Sequence, residues 1–218
     1  MKRRFILPKR RFAKIKLNLG LFFRSFFPIF AKSNKNRRKK MKYDVMIIGS
    51  GPGGYVAAVR AAQLGFNTAV VERENLGGIC LNWGCIPTKA LLKSAQAFNY
   101  IKHSETYGVK IEGSFKPDMN AIVERSRTVA ANMGKGVAHL MQKNNITVIE
   151  GEARLTKDRK VSVEMKDGSG TQVFEADHII LATGARSRNL PNMPQDGKKI
   201  IGYREAMTLR EQPESMVV

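Results

Sequence analysis

The chain contains 218 residues, of which 43% are hydrophobic; this composition predicts one large or two small globular domains and excludes a disordered chain. The formal net charge of +20 is concentrated at the start, because residues 1–40 carry fifteen Lys and Arg and no acidic residue. The rest of the chain carries 23 basic and 18 acidic residues, a net charge of only +5, so no nucleic-acid partner is expected for the body of the protein.

Residues 1–40 combine basic runs with a Phe-rich stretch, Leu19–Ala31, which Arg24 and Pro28 interrupt. The stretch is too short and too broken to span a bilayer. A mitochondrial transit peptide is one interpretation, although the segment is poor in serine, and a basic arm that binds a membrane surface or nucleic acid is another. We favour a third, an upstream extension before a start at Met41, and predict a disordered N-terminal extension outside the fold.

A βαβ unit is predicted directly after this extension. The apolar run Tyr43–Ile48 is typical of a buried parallel strand, and Gly49 ends it. An alanine-rich helix is predicted over Gly53–Leu64, with Gly65 as its stop, and Thr68–Val71 is the next strand.

Two further helices and a set of strands follow. A helix is predicted from about Ile86 to Lys102. A long amphipathic helix is predicted from apolar residues at three-to-four spacing: Met119, Ile122, Val123, Val129, Ala130, Met133, Val137, Leu140 and Met141. The predicted strands are Ile146–Ile149, a hairpin-rich meander over Arg154–Val163 and Thr171–Phe174 joined at residues 167–170, and a buried strand over His178–Ala182. We therefore predict an α/β fold, a Rossmann-like parallel sheet with helices plus an antiparallel β-meander.

The turn between the first strand and the first helix contains the pattern GxGxxG. Gly49 permits the tight turn, Gly51 lets backbone amides approach a pyrophosphate, and Gly54 lets helix and strand pack closely. A plain glycine turn is the alternative, but Glu72 ends the second strand, where an acid accepts hydrogen bonds from ribose hydroxyls. The acid also disfavours a 2′-phosphate, so FAD or NAD is expected here rather than NADP.

Cys80 and Cys85 are the only cysteines, and their role has three interpretations. A structural staple closing so short a loop would remove little unfolded-state entropy. A zinc site needs further ligands, and the three histidines lie far away in the sequence without the spacing of zinc ligands: His103, His139 and His178. A redox-active pair is favoured because the cysteines follow the nucleotide motif.

The residues around the cysteines suit a redox pair that lies against a flavin ring. Cys85, at the start of a helix, would gain thiolate character from the helix dipole, and Cys80, in a loop, would be free to attack a disulfide or dithiol partner. Lys89, one turn after Cys85, would stabilise that thiolate and negative charge on a reduced flavin. For Trp83 a packing role is expected.

From Tyr43 to the C-terminus the sequence resembles the dihydrolipoamide dehydrogenases, of the pyridine nucleotide disulfide oxidoreductase family. The resemblance is most specific in the segment CLNWGCIPTK, which matches the form CLNxGCIP(S/T)K usual in dihydrolipoamide dehydrogenases. Glutathione and mercuric reductases tend to carry CVNVGCVP instead.

The resemblance implies a set of site residues. It implies FAD binding by Gly49, Gly51, Gly54, Glu72, Gly77, Gly78, Lys89, Gly151, Ala153, Thr183 and Gly184. Within this set the backbone of residues 151–153 would contact adenine, and Lys89 would lie near the flavin. Cys80 would be the interchange thiol and Cys85 the charge-transfer thiol.

The resemblance also implies what a complete enzyme contains. FAD and NAD would be its cofactors, the lipoyl domain of a 2-oxoacid dehydrogenase complex its partner, and a homodimer its assembly. We expect residues 41–190 to be the FAD-binding domain with the redox disulfide, and residues 191–218 to be a linker and the start of an NAD-binding domain, whose first strand would open at residues 213–218. The catalytic base would lie outside this chain, so the chain is expected to be truncated before the NAD-binding domain and inactive alone.

Three alternatives remain at this point. The chain could be another disulfide reductase of the same family, similar to glutathione or mercuric reductase, or a non-catalytic remnant that binds FAD, or a protein whose basic arm binds nucleic acid or a membrane. Membrane contact is expected only through residues 1–40. A cytoplasmic location is expected, or the mitochondrial matrix if residues 1–40 are a transit peptide, because a cycling dithiol does not suggest secretion.

Overall fold

The computed structural model describes residues 42–218, so the predicted disorder and roles of residues 1–40 lie outside the described residues. The helices and strands follow in the order β1 (Lys42–Ile48), α1 (Pro52–Gln63), β2 (Thr68–Glu72), α2 (Gly78–Trp83), α3 (Cys85–Lys102), α4 (Met119–Lys143), β3 (Thr147–Leu155), β4 (Val161–Met165), β5 (Thr171–Leu181) and α5 (Tyr203–Ala206). A single 3₁₀ turn, Ser104–Tyr107, follows α3.

Two sheets share their outer strands and close into a barrel. The parallel sheet has the order β5-β1-β2-β3, and β3, β4 and β5 form the antiparallel meander. In the parallel sheet Val45 lies opposite Thr68 on one side and His178 on the other. This arrangement confirms the predicted α/β fold, a Rossmann-like sheet with helices plus a β-meander.

The core lies on both faces of β1 and β2, as expected for strands that read as continuous apolar runs. Successive side chains of a strand point to opposite faces, so alternate residues enter two different clusters. The cluster between the parallel sheet and the meander contains Tyr43, Met46, Ile48, Ala69, Val71, Ile149, Val161, Val163 and Phe174. The cluster between the sheet and the helices contains Val45, Ile47, Ala58, Val70, Leu81, Val137, Met141 and Ile146.

The long helix α4 is confirmed, but its buried face differs from the predicted one. Asp118 caps it by accepting a hydrogen bond from the Ala121 backbone N–H at 3.0 Å. Met133, predicted on the apolar face, is 44% exposed, and the polar residue Ser126 is fully buried instead. A buried serine is tolerated here because its hydroxyl donates to the backbone carbonyl of Val123 at 2.7 Å.

Three other expectations are corrected. Cys80 was expected in a loop but lies in the short helix α2. The segment His178–Ala182 was predicted as a separate buried strand, but residues 178–181 are the end of β5, and Leu181 is 61% exposed. Leu181 is exposed because β5 is the last strand of the parallel sheet, whereas α1 and α4 pack over the other strands. Residues 213–218 form no strand in the described structure.

Two glycines hold α1 close to the sheet. Gly49 has φ of +98°, and a Cβ there would collide with the backbone of Ala182. A Cβ on Gly54 would collide with the carbonyl oxygen of Gly49. The first turn of α1 therefore packs directly on the end of β1.

None of the helices within residues 42–218 combines the length and hydrophobicity needed to cross a membrane.

Substitution of Gly54 by alanine tests this close packing. We expect Gly54→Ala to lower the free energy of unfolding by roughly 2–3 kcal/mol, because the methyl group overlaps backbone that cannot move freely. Gly53→Ala is the matched control, since a Cβ there meets no atom within 4 Å; it should leave stability unchanged or raise it by up to about 1 kcal/mol. Denaturant unfolding of both variants measures the difference, and equal effects would contradict this account of the turn.

Candidate dinucleotide and disulfide site

A cavity of about 360 Å³ lies at the carboxyl ends of β1, β2 and β5, the edge where open α/β sheets bind ligands. It is lined by nine of the residues predicted from sequence: Gly49, Gly51, Glu72, Gly78, Cys80, Gly151, Ala153, Thr183 and Gly184. Four predicted residues do not line it: Gly54, Gly77, Cys85 and Lys89. The topology thus gathers segments up to 135 positions apart in sequence, Gly49 to Gly184, around one space.

Ser50 is the central residue of this site, although the GxGxxG pattern specifies no residue type at its position. It is fully buried, and both its backbone N–H and its hydroxyl donate to Oε2 of Glu72, at 2.9 Å and 2.6 Å. The backbone N–H of Gly77 in turn donates to the Ser50 carbonyl at 3.1 Å and to its hydroxyl at 3.2 Å. One serine therefore joins the β1 turn, the end of β2 and the start of α2.

Gly77 and Gly78 have structural reasons to be glycine. Both have positive φ, +92° and +59°. A Cβ on Gly78 would lie 2.7 Å from the Cα of Gly51, and one on Gly77 would lie 2.6 Å from the side chain of Leu81. The entry to α2 consequently rests against the glycine turn after β1.

Gly151 and Gly184 differ in what surrounds them. A Cβ on Gly151 would collide with the Glu164 carbonyl oxygen, so this glycine allows β3 and β4 to approach closely. Gly184 has φ of +71° and open space beside it. For Gly151 the packing role is thus established, and the predicted contact with adenine stays a prediction.

The residues present fit a dinucleotide cofactor such as FAD. Among the described residues, apart from its chain neighbours, no heavy atom lies within 4 Å of a Cβ placed on Gly51, and no side chain there caps the N-terminus of α1. In this part of the chain the start of the helix therefore faces open space. A carboxylate offers about four acceptor positions. Glu72 uses three of them, two for Ser50 and one for the N–H of Glu74 at 2.9 Å, which leaves one for a ribose hydroxyl.

Cys80 and Cys85 form a disulfide with their Cα atoms 4.8 Å apart. Cys80 lies in α2 and lines the cavity, whereas Cys85 is the first residue of α3 and is exposed. The structure thus confirms the pair as a disulfide and places Cys85 where the helix dipole favours a thiolate after reduction. Lys89 is exposed one turn further along α3, and its predicted role near the flavin stays a prediction.

Trp83 at the end of α2 contacts two guanidinium groups. Arg127 of α4 lies 4.6 Å from the ring centroid, and Arg204 of α5 lies 5.0 Å from it, so both make cation–π contacts. Arg127 also donates to the Asn82 carbonyl at 2.8 Å, while its Nε and Nη2 are buried without a hydrogen-bond partner among the described residues. Burial lowers the pKa of Arg127. Trp83 also lines the cavity, so the packing role expected for it stays a prediction.

An ion-pair cluster lies at the mouth of the cavity. One carboxylate oxygen of Glu74 accepts from Arg186 at 3.0 Å, and the other accepts from Arg204 at 2.9 Å. Partial burial raises the pKa of Glu74, but the hydrogen bond and charge of Arg204, with the charges of Arg186 and Arg73, outweigh it and lower the pKa overall. No sequence motif pointed to Glu74 or Arg204, because the contact joins residues 130 positions apart.

A model of the pyridine nucleotide-disulphide oxidoreductase family matches residues 43–218, and the chain belongs to this family. Two curated relatives, both dihydrolipoyl dehydrogenases, are similar to it. The protein from Rhizobium etli is 52% identical over 189 residues, covering 81% of this chain and 39% of the relative. The protein from Chlorobaculum tepidum is 51% identical over 177 residues, covering 81% and 37%.

A solved structure agrees with this assignment. The crystal structure of LpdA from Mycobacterium tuberculosis has a TM-score of 0.69 and 26% sequence identity, and the match covers 78% of this chain and 38% of that one. The predicted family is therefore confirmed, and the family is FAD-dependent, with NAD as second cofactor in complete enzymes. The chain spans about two fifths of the length of the curated relatives it matches.

Removal of the Ser50 hydroxyl tests the hydrogen-bonded junction. We expect Ser50→Ala to lower the free energy of unfolding by about 2 kcal/mol, because it removes a hydrogen bond to the charged Glu72 carboxylate, while the Ser50 backbone still bonds Glu72 and the Gly77 N–H. Ser126→Ala is the control: Ser126 is equally buried, but its hydroxyl only donates to a helix carbonyl, so a loss below about 1 kcal/mol is expected. Thermal and denaturant unfolding would show whether the two losses differ as stated.

The ion pairs of Glu74 predict a pH dependence of stability. Because its pKa is lowered in the folded state, Glu74 stabilises the fold above the unfolded-state pKa, and this contribution disappears as the pH falls through the lowered folded-state pKa. The carboxylate is one-third exposed, so screening limits the effect to about 0.5–1 kcal/mol at pH 7. The stability difference between wild type and Glu74→Gln should shrink towards zero in acid, and a difference independent of pH would contradict the assignment.

Proposed function

We propose that the cavity binds FAD and that the Cys80–Cys85 disulfide is the redox centre of a dihydrolipoamide dehydrogenase, which oxidises protein-bound dihydrolipoamide with NAD as final acceptor. The observation that carries the proposal is the position of Cys80 in the folded chain. Cys80 lines the same cavity as the glycine turn and Glu72, although the sequence only places these elements in order along the chain. Relatives at about half identity with the name dihydrolipoyl dehydrogenase support the substrate class.

The reaction of the disulfide is a thiol–disulfide exchange. A thiolate of dihydrolipoamide attacks one sulfur of the pair, the Cys80–Cys85 bond breaks, and a mixed disulfide and a cysteine thiolate result. The second substrate thiol loses its proton, attacks the mixed disulfide and leaves the substrate oxidised and both cysteines reduced. Two electrons have then passed to the cysteine pair. FAD, when bound, supplies a two-electron acceptor for that pair.

The remaining residues position these groups. Gly49, Gly51 and the uncapped start of α1 would receive the pyrophosphate, and Glu72 the ribose. Cys85 at the first position of α3 would be the cysteine that the helix dipole keeps as a thiolate, and Cys80 the one that exchanges with the substrate. This division follows the helix dipole and the family resemblance, since Cys80 and not Cys85 lines the cavity. Lys89 on the same helix would add positive charge near them.

The wider assignments follow the same proposal. The partner would be the lipoyl domain of a 2-oxoacid dehydrogenase complex, and the complete enzyme would be a homodimer. The compartment would be the cytoplasm or the mitochondrial matrix; two plant relatives carry the description mitochondrial. A glutathione- or mercuric-type reductase is the second candidate within the family.

Reconstitution with FAD followed by reduction tests the proposal. The wild-type chain should bind FAD, turn yellow and develop long-wavelength absorbance on anaerobic addition of dihydrolipoamide. Cys80→Ser should retain long-wavelength absorbance without added reductant, because Cys85 remains as a thiolate, and Cys85→Ser should lose it. The two variants remove the same atom from the two halves of one disulfide and so control for each other.

Three results would contradict parts of this proposal. A colourless protein after reconstitution would exclude the cofactor. Absorbance that survives in Cys85→Ser but not in Cys80→Ser would reverse the roles of the two sulfurs. Faster reduction of the disulfide by glutathione than by dihydrolipoamide would favour the second candidate.

A further inference from the structure

Three separate segments meet at the mouth of the cavity. Glu74 follows β2, Arg186 follows β5, and Arg204 belongs to α5. Since β1 lies between β5 and β2 in the parallel sheet, the Arg186–Glu74 ion pair joins the two flanking strand ends beside the glycine turn that follows β1. All three residues line the cavity.

The charges in this cluster do not balance. Within residues 42–218, Glu74 is the only carboxylate bonded to Arg186 and Arg204, and Arg73 adds a third positive charge close enough to affect it. A guanidinium has five N–H donors, and Glu74 uses one from each arginine. Glu72 and Glu152 also line the cavity, so its positive charge is local to this cluster. Even with Arg204 Nε donating to the Tyr203 hydroxyl at 3.3 Å, both guanidinium groups keep unused donors, which match a phosphate or diphosphate group.

Arg204 is held in place independently of Glu74. Its guanidinium stacks on Trp83 at 5.0 Å and lies near Tyr203 at 5.8 Å, and its side chain is 32% exposed. Loss of the Glu74 contact would therefore leave Arg204 beside the cavity, because the aromatic contacts remain. An arginine positioned in this way can exchange one anionic partner for another.

We propose that Glu74 is a resident counter-ion, which the phosphates of the bound dinucleotide replace on Arg204, so that Arg204 determines the affinity of the cavity for a diphosphate. The inference rests on the proposed binding of FAD but adds a residue from α5 to the site. It also makes Glu74 a competitor of the ligand. A carboxylate that merely stabilised the fold would not weaken ligand binding.

Binding measurements on the full chain test this exchange. FAD binding is followed by quenching of flavin fluorescence, and ADP and adenosine are measured by competition against FAD. Glu74→Gln should tighten FAD and ADP binding about 3- to 10-fold, and Arg204→Gln should weaken both about 10-fold, as expected for one charge-assisted hydrogen bond. Arg204→Lys should recover part of the loss. Adenosine, which has no phosphate, should bind the variants and the wild type equally.

The exposed ion pair between Arg210 and Glu124 provides matched controls for Arg204 and Glu74. It has the same two charges, with Arg210 Nη2 and Glu124 Oε2 3.9 Å apart, and neither residue lines the cavity. Arg210→Gln and Glu124→Gln should change FAD affinity less than about 2-fold. In the double variant Glu74→Gln/Arg204→Gln, the Glu74 change should tighten FAD binding less than it does alone, because the Arg204 guanidinium that it would release is absent. Circular dichroism and melting without ligand confirm that each variant is folded.

The outcomes separate this inference from the proposed function. Wild-type protein that binds neither FAD nor ADP would overturn both. Wild-type protein that binds FAD, together with folded Glu74→Gln that binds no more tightly, or with an Arg204→Gln effect no larger than that of Arg210→Gln, would overturn the exchange alone.

Discussion

The partly buried hydrogen bonds between Ser50 and Glu72 are the interaction on which the rest of the site depends. They fix the turn after β1 to the end of β2, and through the Gly77 N–H they also fix the start of α2. Because Cys80 lies in α2 and lines the cavity, the same serine sets the disulfide relative to the glycine turn. A carboxylate used in this way retains one free acceptor position, which is consistent with a structural and a ligand-binding role in one residue.

Much of the fold follows from local sequence patterns. The apolar runs of β1 and β2, the glycine turn and the spacing in α4 act over a few residues, and all of these elements occur where they were predicted. Long-range placement caused the differences. The position of β5 at the side of the parallel sheet decides that Leu181 is exposed, and no pattern within the strand records this. The short helix α2 was missed because the glycines around it are usually signals of a loop.

The residues of the candidate site that belong to a sequence motif could be predicted. The residues that contribute through long-range charge pairing could not. Glu72 and the cysteines stand at recognisable spacings. The contacts of Glu74 with Arg204 and of Trp83 with two arginines bring together α2, α4 and α5, so only the folded chain reveals them. They also explain how a segment expected to be a linker contributes to the cavity.

The central claim is that the disulfide and the dinucleotide cavity are parts of one site. Two parts of one site must be energetically linked, so FAD should bind the oxidised and reduced protein with different affinity, and should shift the disulfide's reduction potential by the corresponding amount. The most direct measurement is a redox titration of Cys80 and Cys85 in thiol–disulfide buffers, with and without saturating FAD. The account predicts two separate midpoints, and superimposable titrations with FAD demonstrably bound would contradict it.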